Sequence, residues 1–372
     1  MFAKPFNLIL VYIVTIFNIA ILASPLLALL IPLLTRHGKT FEISNDLAQK
    51  FKLAIYLVIF LVSFFMLFYL LLDMLFGFAM RASMKNCTVY EKMRDYEFLT
   101  KIFEQVKEKF DEKSVKLYIK DSDEINAFAV ASFGGRAIVL TSGLIDHYLK
   151  YSEDSKEFLY ALRSIMGHEM SHLINKDFLP TYLIIANQKA TNFTANLLNI
   201  IFNFASRITA MLPYGGNLTS RLMIRTYILL NFFFSFFNRF IVYNVYEFLR
   251  KFVSRSLEYR CDRQSAKAFG GQNMALALSF LGESGYFTLF STHPGTKRRI
   301  NKVKDIEIDD RIVRPNFIES ITNYFAVMFL IIICLFFAKQ AGIDLLVREY
   351  IKNHEVIQAK LNMLWQLVSQ FF

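Results

Sequence analysis

The chain has 372 residues, a formal net charge of +11, six His and three Cys, and 55% of it is hydrophobic, with 40 Phe. A mean hydropathy of +0.36 is more than a soluble core requires, which excludes an ordinary soluble domain and assigns the excess to membrane segments. The positive charge gives no sign of nucleic-acid binding: no soluble segment carries a basic stripe interleaved with aromatics, and basic residues beside spans serve orientation.

Residues 5–35 form an uncharged run longer than the roughly 20 residues that cross a bilayer, and residues 53–72 form a second, ending at Asp73. The first is too long for a secretory signal core, and the small residues Ala23 and Ser24 lie in its middle, so it reads as an uncleaved anchor. Basic residues are as frequent in 36–52 as in 81–94, four in each, so the positive-inside count does not separate the two orientations. Cys87, Cys261 and Cys334 are odd in number and widely spaced, which is no disulfide framework and points to a reducing-side catalytic domain.

After the second span, residues 90–113 mix charge and apolar residues at helical spacing and predict an amphipathic helix. Residues 115–119, 126–132 and 137–141 then predict three strands of a small antiparallel sheet, with Gly134 and Gly135 turning between the last two.

The next helix carries His168-Glu169-Met170-Ser171-His172, with Phe158, Leu162, Ile165, Met166, Leu173 and Ile174 at helical spacing around it. Two histidines at i and i+4 stand on one helix face, where both can bind one zinc ion, and Glu169 can reach a water on that metal. Zinc held by neutral imidazoles brings the pKa of its water toward neutrality, and a neighbouring carboxylate takes the proton as the hydroxide attacks a peptide carbonyl. The pattern reads as a metallohydrolase, in first place a protease; the plainer alternative is a pair of buried histidines satisfied by carbonyls.

Residues 190–206, with Asn192, Asn196, Asn199 and Asn203, and the aromatic stretch 226–246, with Arg239, suggest a hydrophobic hairpin whose polar residues face protein or water. A charged helix over 247–269 follows, closed by Gly270-Gly271, and a short helical region reaches Tyr286. On the charged helix Glu258 and Asp262 share a face at i and i+4, so that one carboxylate can ligate a metal while the other orients an imidazole from behind. Arg255, Arg260, Arg263 and Lys267 leave a second reading open, an ordinary solvated charge face. Residues 320–338 are a further uncharged run between Glu319 and Lys339. Beyond it Ile343, Leu346, Tyr350, Ile357, Leu361, Leu364, Val368 and Phe371 make one apolar face, to be covered by lipid, by protein or by a second copy in a homo-oligomer.

The chain resembles the HtpX-like membrane-integrated zinc metalloproteases, which belong to the same superfamily as the CAAX prenyl endopeptidases. The resemblance rests on His168-Glu169-Met170-Ser171-His172, on Glu258-Tyr259-Arg260-Cys261-Asp262-Arg263-Gln264-Ser265-Ala266, and on Ser291-Thr292-His293-Pro294-Gly295-Thr296-Lys297-Arg298-Arg299-Ile300, in that order over about residues 85–305. It implies an α-rich α+β integral membrane protein, with a zincin-type, gluzincin-like catalytic domain containing a small β-sheet and about four to five transmembrane helices. It further implies one zinc ion per chain held by His168, His172 and Glu258, with Glu169 as general base and Asp262 behind the ligands. His293 becomes a candidate to stabilise the oxyanion or to position the helix carrying Glu258; alternatively it caps the helix beginning near Thr296. Asn126, Ala127, Phe128 and Ala129 look like the family's strand beside the substrate cleft, offering an edge to an extended peptide.

The expected organisation is two N-terminal spans in 1–80, a first catalytic part in 81–180 and a membrane-inserted hairpin in 181–246. A second catalytic part follows in 247–315, a fifth span in 316–340 and an amphipathic helix in 341–372. The expected activity is zinc-dependent endoproteolysis of membrane or unfolded proteins in quality control, at a bacterial inner membrane with the catalytic domain in the cytosol. Partners would be a protein or peptide substrate and the lipid bilayer. One rival is a CAAX-type prenyl-protein endopeptidase, which normally has more spans enclosing a chamber. Another is a catalytically silent scaffold, which three protein ligands and an intact Glu169 disfavour, since structural zinc sites are usually closed by four.

Overall fold

The computed structural model describes residues 5, 8–20, 22, 45–92, 96–132, 135–152, 154–211, 236, 243–281 and 295–352. Its helices are α1 (Leu8–Ala20), α2 (Asn45–Phe76), α3 (Phe78–Ser83), α4 (Leu99–Lys109), α5 (Ser142–Tyr151), α6 (Ser155–Ile174) and α7 (Phe178–Ala210). There follow α8 (Tyr243–Phe269), α9 (Gly271–Phe280), α10 (Thr296–Val303), α11 (Phe317–Gln340) and α12 (Ile343–Lys352). The strands are β1 (Cys87–Val89), β2 (Val115–Lys120), β3 (Ala127–Ser132) and β4 (Gly135–Thr141). Among the described residues the fold is helix-rich with one small sheet.

That sheet is mixed, in the order β1-β2-β4-β3, which corrects the antiparallel expectation. β3 and β4 form the expected antiparallel hairpin, but β4 inserts beside β2 and pairs with it in parallel, Leu117 opposite Ile138 and Ile119 opposite Leu140. The reason lies in burial. Residues 137–141 are all buried, so β4 needs cover on both faces and a neighbour on both sides, whereas β2 buries only alternate residues. β3 is left at the edge, and it begins at Ala127, so Asn126 precedes the strand. The amphipathic helix is also shorter than expected: Tyr90–Lys92 is a single 3-10 turn, and α4 starts only at Leu99.

Two compact units are distinguished by packing. The first comprises residues 1–17, 68–189 and 235–327; the second comprises 18–67, 190–234 and 328–372. In the first, Leu99, Phe103 and Val106 of α4, Leu117 and Ile119 of β2, Leu162 and Met166 of α6, and Met274 and Leu278 of α9 share one core. α6 crosses α8 closely because position 167 is glycine: a Cβ there would sit 2.6 Å from Phe269 Cε2 and 2.9 Å from Ser265 Oγ. Ser265 Oγ donates to the Ser164 carbonyl at 2.6 Å across the same crossing. In the second unit, Phe65 packs on Phe193 and Tyr56 on Phe337.

Among the described residues, two helices are long and apolar enough to cross a membrane, Ala48–Phe76 and Phe317–Gln340, and only 22% of each one's most apolar stretch is buried. A core helix of a soluble protein would be covered on most sides; these present apolar side chains such as Phe68, Leu75, Phe325 and Leu335 outward. α1 is a shorter apolar helix, and α7 runs unbroken for 33 residues, where the expected hairpin would have its first arm. The second arm and the tail beyond residue 352 lie largely outside the described residues, as does His293, so a count of four to five spans is not reached among those described.

Candidate metal centre

The histidine helix α6 is built for a fixed start and a fixed end. Asp154 caps it by accepting from the backbone N–H groups of Lys156 at 2.7 Å and Glu157 at 2.8 Å. At the other end Lys176 takes a left-handed conformation with φ 56°, its N–H bonds Leu173 O at 3.1 Å, and the Asp177 N–H bonds His172 O at 3.1 Å. This is the paired closure of a Schellman turn, made here with lysine where glycine is usual. It holds Asp177 directly beneath the second histidine.

His168 and His172 turn their Nε2 atoms to within 3.2 Å of each other. From α8, Glu258 Oε2 lies 3.5 Å from His168 Nε2, and Glu258 Oε1 lies 3.4 Å from His172 Nε2. Metal bonds of about 2.0–2.1 Å in a tetrahedron imply ligand-to-ligand separations of about 3.3–3.4 Å, close to the distances here, with the two Glu258 oxygens each facing one of the imidazoles. The three side chains form a group that could hold a metal ion, with two neutral nitrogens and a carboxylate as donors.

The far side of each imidazole faces a carboxylate. His168 Nδ1 lies 2.8 Å from Asp262 Oδ1, near but off the line of a good hydrogen bond, and His172 Nδ1 donates to Asp177 Oδ2 at 2.8 Å. Asp262 is fully buried and is gripped by Arg299 through two bonds, Nε to Oδ2 at 2.7 Å and Nη2 to Oδ1 at 2.6 Å. The same Arg299 Nη2 lies 3.2 Å from Glu258 Oε2. Asp177 in turn accepts from Arg260, whose other nitrogen donates to Glu319. Cys261 Sγ, 3.3 Å from His172 Nδ1, completes this flank.

Burial works against charge on His168, but Glu258 and Asp262 outweigh it and push its pKa up to about 10. For His172 burial is likewise outweighed, by Cys261, Asp177 and Glu258, and the pKa rises well above the ordinary value. Asp262 is also penalised by burial, yet the hydrogen bonds from Arg299 and the adjacent His168 ring hold its carboxyl below the usual range. The pocket thus favours positive charge at the imidazole nitrogens, the position a bound cation would take.

Glu258 and Asp262 are buried, which disposes of the solvated charge face, while Arg263 and Lys267 of the same helix are exposed. Glu169 is buried on α6 beside His168. Of the four strand residues, Asn126 joins Thr141 in a hydrogen-bonded pair: Thr141 N donates to Asn126 O, and Asn126 N to Thr141 Oγ1, both at 3.1 Å. Alternation along the β3–β4 register then turns the backbone of Phe128 toward β4 and those of Ala127 and Ala129 away from it, out of the sheet edge. Tyr182 Oη donates to the outward carbonyl of Ala131 at 3.0 Å, as that alternation requires.

Sequence reasoning assigned no role to Asp177, Arg260, Arg299 or Glu319. Arg299 stood inside a quoted motif; Asp177 had a local signal, five residues after His172 at the end of an apolar helix. Arg260 also stood inside a quoted motif, read only as a flanking charge, and Glu319 only as the boundary of an apolar run.

Residues 96–307 match the family Peptidase family M48. A relative, "Protease HtpX homolog" of Aquifex aeolicus (strain VF5), is 24% identical over 235 residues, which cover 56% of this chain and 71% of that protein. Among solved structures, Ste24p of S. mikatae is matched with 16% identity and a TM-score of 0.37, over 70% of this chain and 66% of that one, just under two thirds of its length.

Proposed function

This chain belongs to peptidase family M48, and from that premise we propose that it is a membrane-bound zinc endopeptidase, with His168, His172 and Glu258 as zinc ligands and Glu169 as general base. The observation that carries the reading is the convergence of the two Nε2 atoms, 3.2 Å apart, on the buried Glu258 carboxylate, whose two oxygens lie 3.5 Å and 3.4 Å from them. When bound, zinc supplies Lewis acidity, polarising a carbonyl and acidifying water.

The chain's own residues do the rest. Glu169 accepts the proton of the attacking water and passes it toward the leaving nitrogen. Asp262 and Asp177 hold the two imidazoles with Nδ1 turned away from the metal, so that both Nε2 atoms remain donors to it. Arg299 keeps Asp262 anionic and in place. An extended peptide would lie along β3 and bond the outward groups of Ala127 and Ala129, while Asn126 and Phe128 maintain the strand through β4. Recognition through main-chain groups demands little of substrate side chains, which suits unfolded or membrane-released segments and a role in quality control. His293 is the candidate for stabilising the oxyanion.

We place the catalytic domain on the cytosolic side of a bacterial inner membrane, supported by cysteines that are all free, Cys87, Cys261 and Cys334. Zinc content and cleavage of an unfolded reporter, measured on detergent-purified protein, test the proposal. Glu169→Gln is expected to retain zinc and lose cleavage by about two to four orders of magnitude, since the amide keeps size but accepts no proton. Wild-type cleavage by that variant would remove Glu169 as the base.

A further inference from the structure

The apolar helix α11 lies beyond residues 96–307, the part of the chain shared with the family. Its first turns carry two polar side chains that are almost completely buried, Glu319 at 2% and Asn323 at 3% exposure. A carboxylate in such a place needs a specific partner, and Glu319 has one in Arg260 Nη1. Arg260 Nη2 donates to Asp177 Oδ2, and the same oxygen accepts from His172 Nδ1 at 2.8 Å. Glu319, Arg260, Asp177 and His172 therefore form one continuous series of charge-assisted hydrogen bonds, from the start of α11 to an imidazole whose Nε2 faces the metal pocket.

A second attachment fastens α11 to α6 without touching that series. Asn316 N donates to Asn175 Oδ1 at 3.0 Å, and Asn175, the residue that ends α6, donates from Nδ2 to Ser171 O at 2.7 Å and to Gln264 Oε1 at 2.8 Å. Asn323 Nδ2 reaches Asn175 O at 3.5 Å. Docking of α11 is thus shared between Glu319 and side chains outside that series, so it can be weakened by mutation without touching the groups that orient His172.

We propose that Glu319, acting through Arg260, is a positioning residue for His172. Divided between Glu319 and Asp177, the Arg260 guanidinium offers Asp177 one nitrogen and leaves its oxygen available to His172 Nδ1. Without Glu319 the guanidinium turns both nitrogens to Asp177, draws that carboxylate off the ring, and frees the imidazole to rotate. The helix that follows the family's shared segment is in this way part of the metal centre's support. This inference rests on the metallopeptidase reading.

The test uses full-length, detergent-purified protein loaded with cobalt(II), whose visible spectrum reports ligand geometry, together with the rate of metal loss to a chelator. Loss of an outer partner typically weakens metal affinity by about 10–100-fold. Glu319→Ala is expected to shift the spectrum and to release cobalt about tenfold faster or more, as is Asp177→Asn. The double variant should be no worse than Asp177→Asn alone, because both break one series. Asn323→Ala should lower thermal stability and leave the spectrum unchanged. If Glu319→Ala does not fold, Glu319→Gln, of the same size, is measured in its place. A wild-type spectrum and release rate in the Glu319 variant would overturn the proposal, as would additive effects or an equal shift in Asn323→Ala. Failure of the wild-type protein to take up cobalt would overturn the metal centre itself, which keeps the two failures distinct.

Discussion

Each residue of the candidate centre carries a separable burden. Glu258 reaches both Nε2 atoms, at 3.5 Å and 3.4 Å, so Glu258→Ala removes a ligand and takes from Arg299 one of its two carboxylates at the centre. It is expected to lose bound zinc, measured by metal analysis after dialysis, and full occupancy would strike Glu258 from the ligand set. Gly167→Ala tests the crossing that brings α8 to α6. Alanine gains about 1 kcal/mol of helix propensity, but overpacking against an aromatic ring and a bonded hydroxyl costs about 1–3 kcal/mol. The Cβ contact at 2.6 Å puts this site at the costly end, so a lowered melting temperature and weaker zinc retention are expected. Equal stability and equal zinc would mean that the helices part without consequence. At this scale the sequence was most legible where spacing is local: His168 with His172, and Glu258 with Asp262, share helix faces by periodicity alone. Arg260 was not, because a flanking arginine on a charged helix looks the same whether it meets water or a carboxylate on an element 59 residues away.

Elements follow the same division. Strand β3 is at the sheet edge with Ala127 and Ala129 turned outward, so Ala129→Pro removes an outward N–H and spares the ladder to β4. The variant is expected to retain zinc and melting temperature while its kcat/KM for a peptide reporter falls by about tenfold or more, the loss of a hydrogen bond or two in a buried cleft. Unchanged kinetics in a folded protein would send the substrate elsewhere. The β3–β4 hairpin was readable from alternation around two glycines. The parallel pairing of β4 with β2 was not, since strands separated by a third strand meet through burial of both faces of β4, which no local pattern encodes. The helix start was displaced too: Tyr90–Lys92 makes only a 3-10 turn although Tyr90 joins the core, and the run of buried residues at helical spacing, Leu99, Ile102, Phe103 and Val106, begins at Leu99.

At the scale of the whole molecule, the apolar excess of the composition resolves into helices that keep apolar side chains outward, α2 and α11 above all. The cytosolic placement proposed for the catalytic domain can be read at Asp310, an exposed residue of the connector before α11. With Cys87 and Cys334 replaced by serine and Cys261 left buried, Asp310→Cys should resist a membrane-impermeant thiol reagent added to intact cells and react after lysis. Labelling of intact cells would reverse the orientation. Composition foretold membrane helices here because transfer to lipid depends on run length and charge; it could not foretell that one of them begins with a carboxylate committed to the catalytic domain.

The triangle of side chains at the centre also has a history in time. His168 and His172 leave the ribosome 90 and 86 positions before Glu258, with the long apolar helix α7 between them, and Glu319 follows 61 positions later still. At about 5–20 residues per second, several seconds separate the first two ligands from the third. A nascent chain with two imidazoles and no third ligand holds zinc poorly. On the proposed ligand set the newborn protease is therefore silent while α7 and the segments before it are being made, and it can gain activity only after Glu258 has followed them.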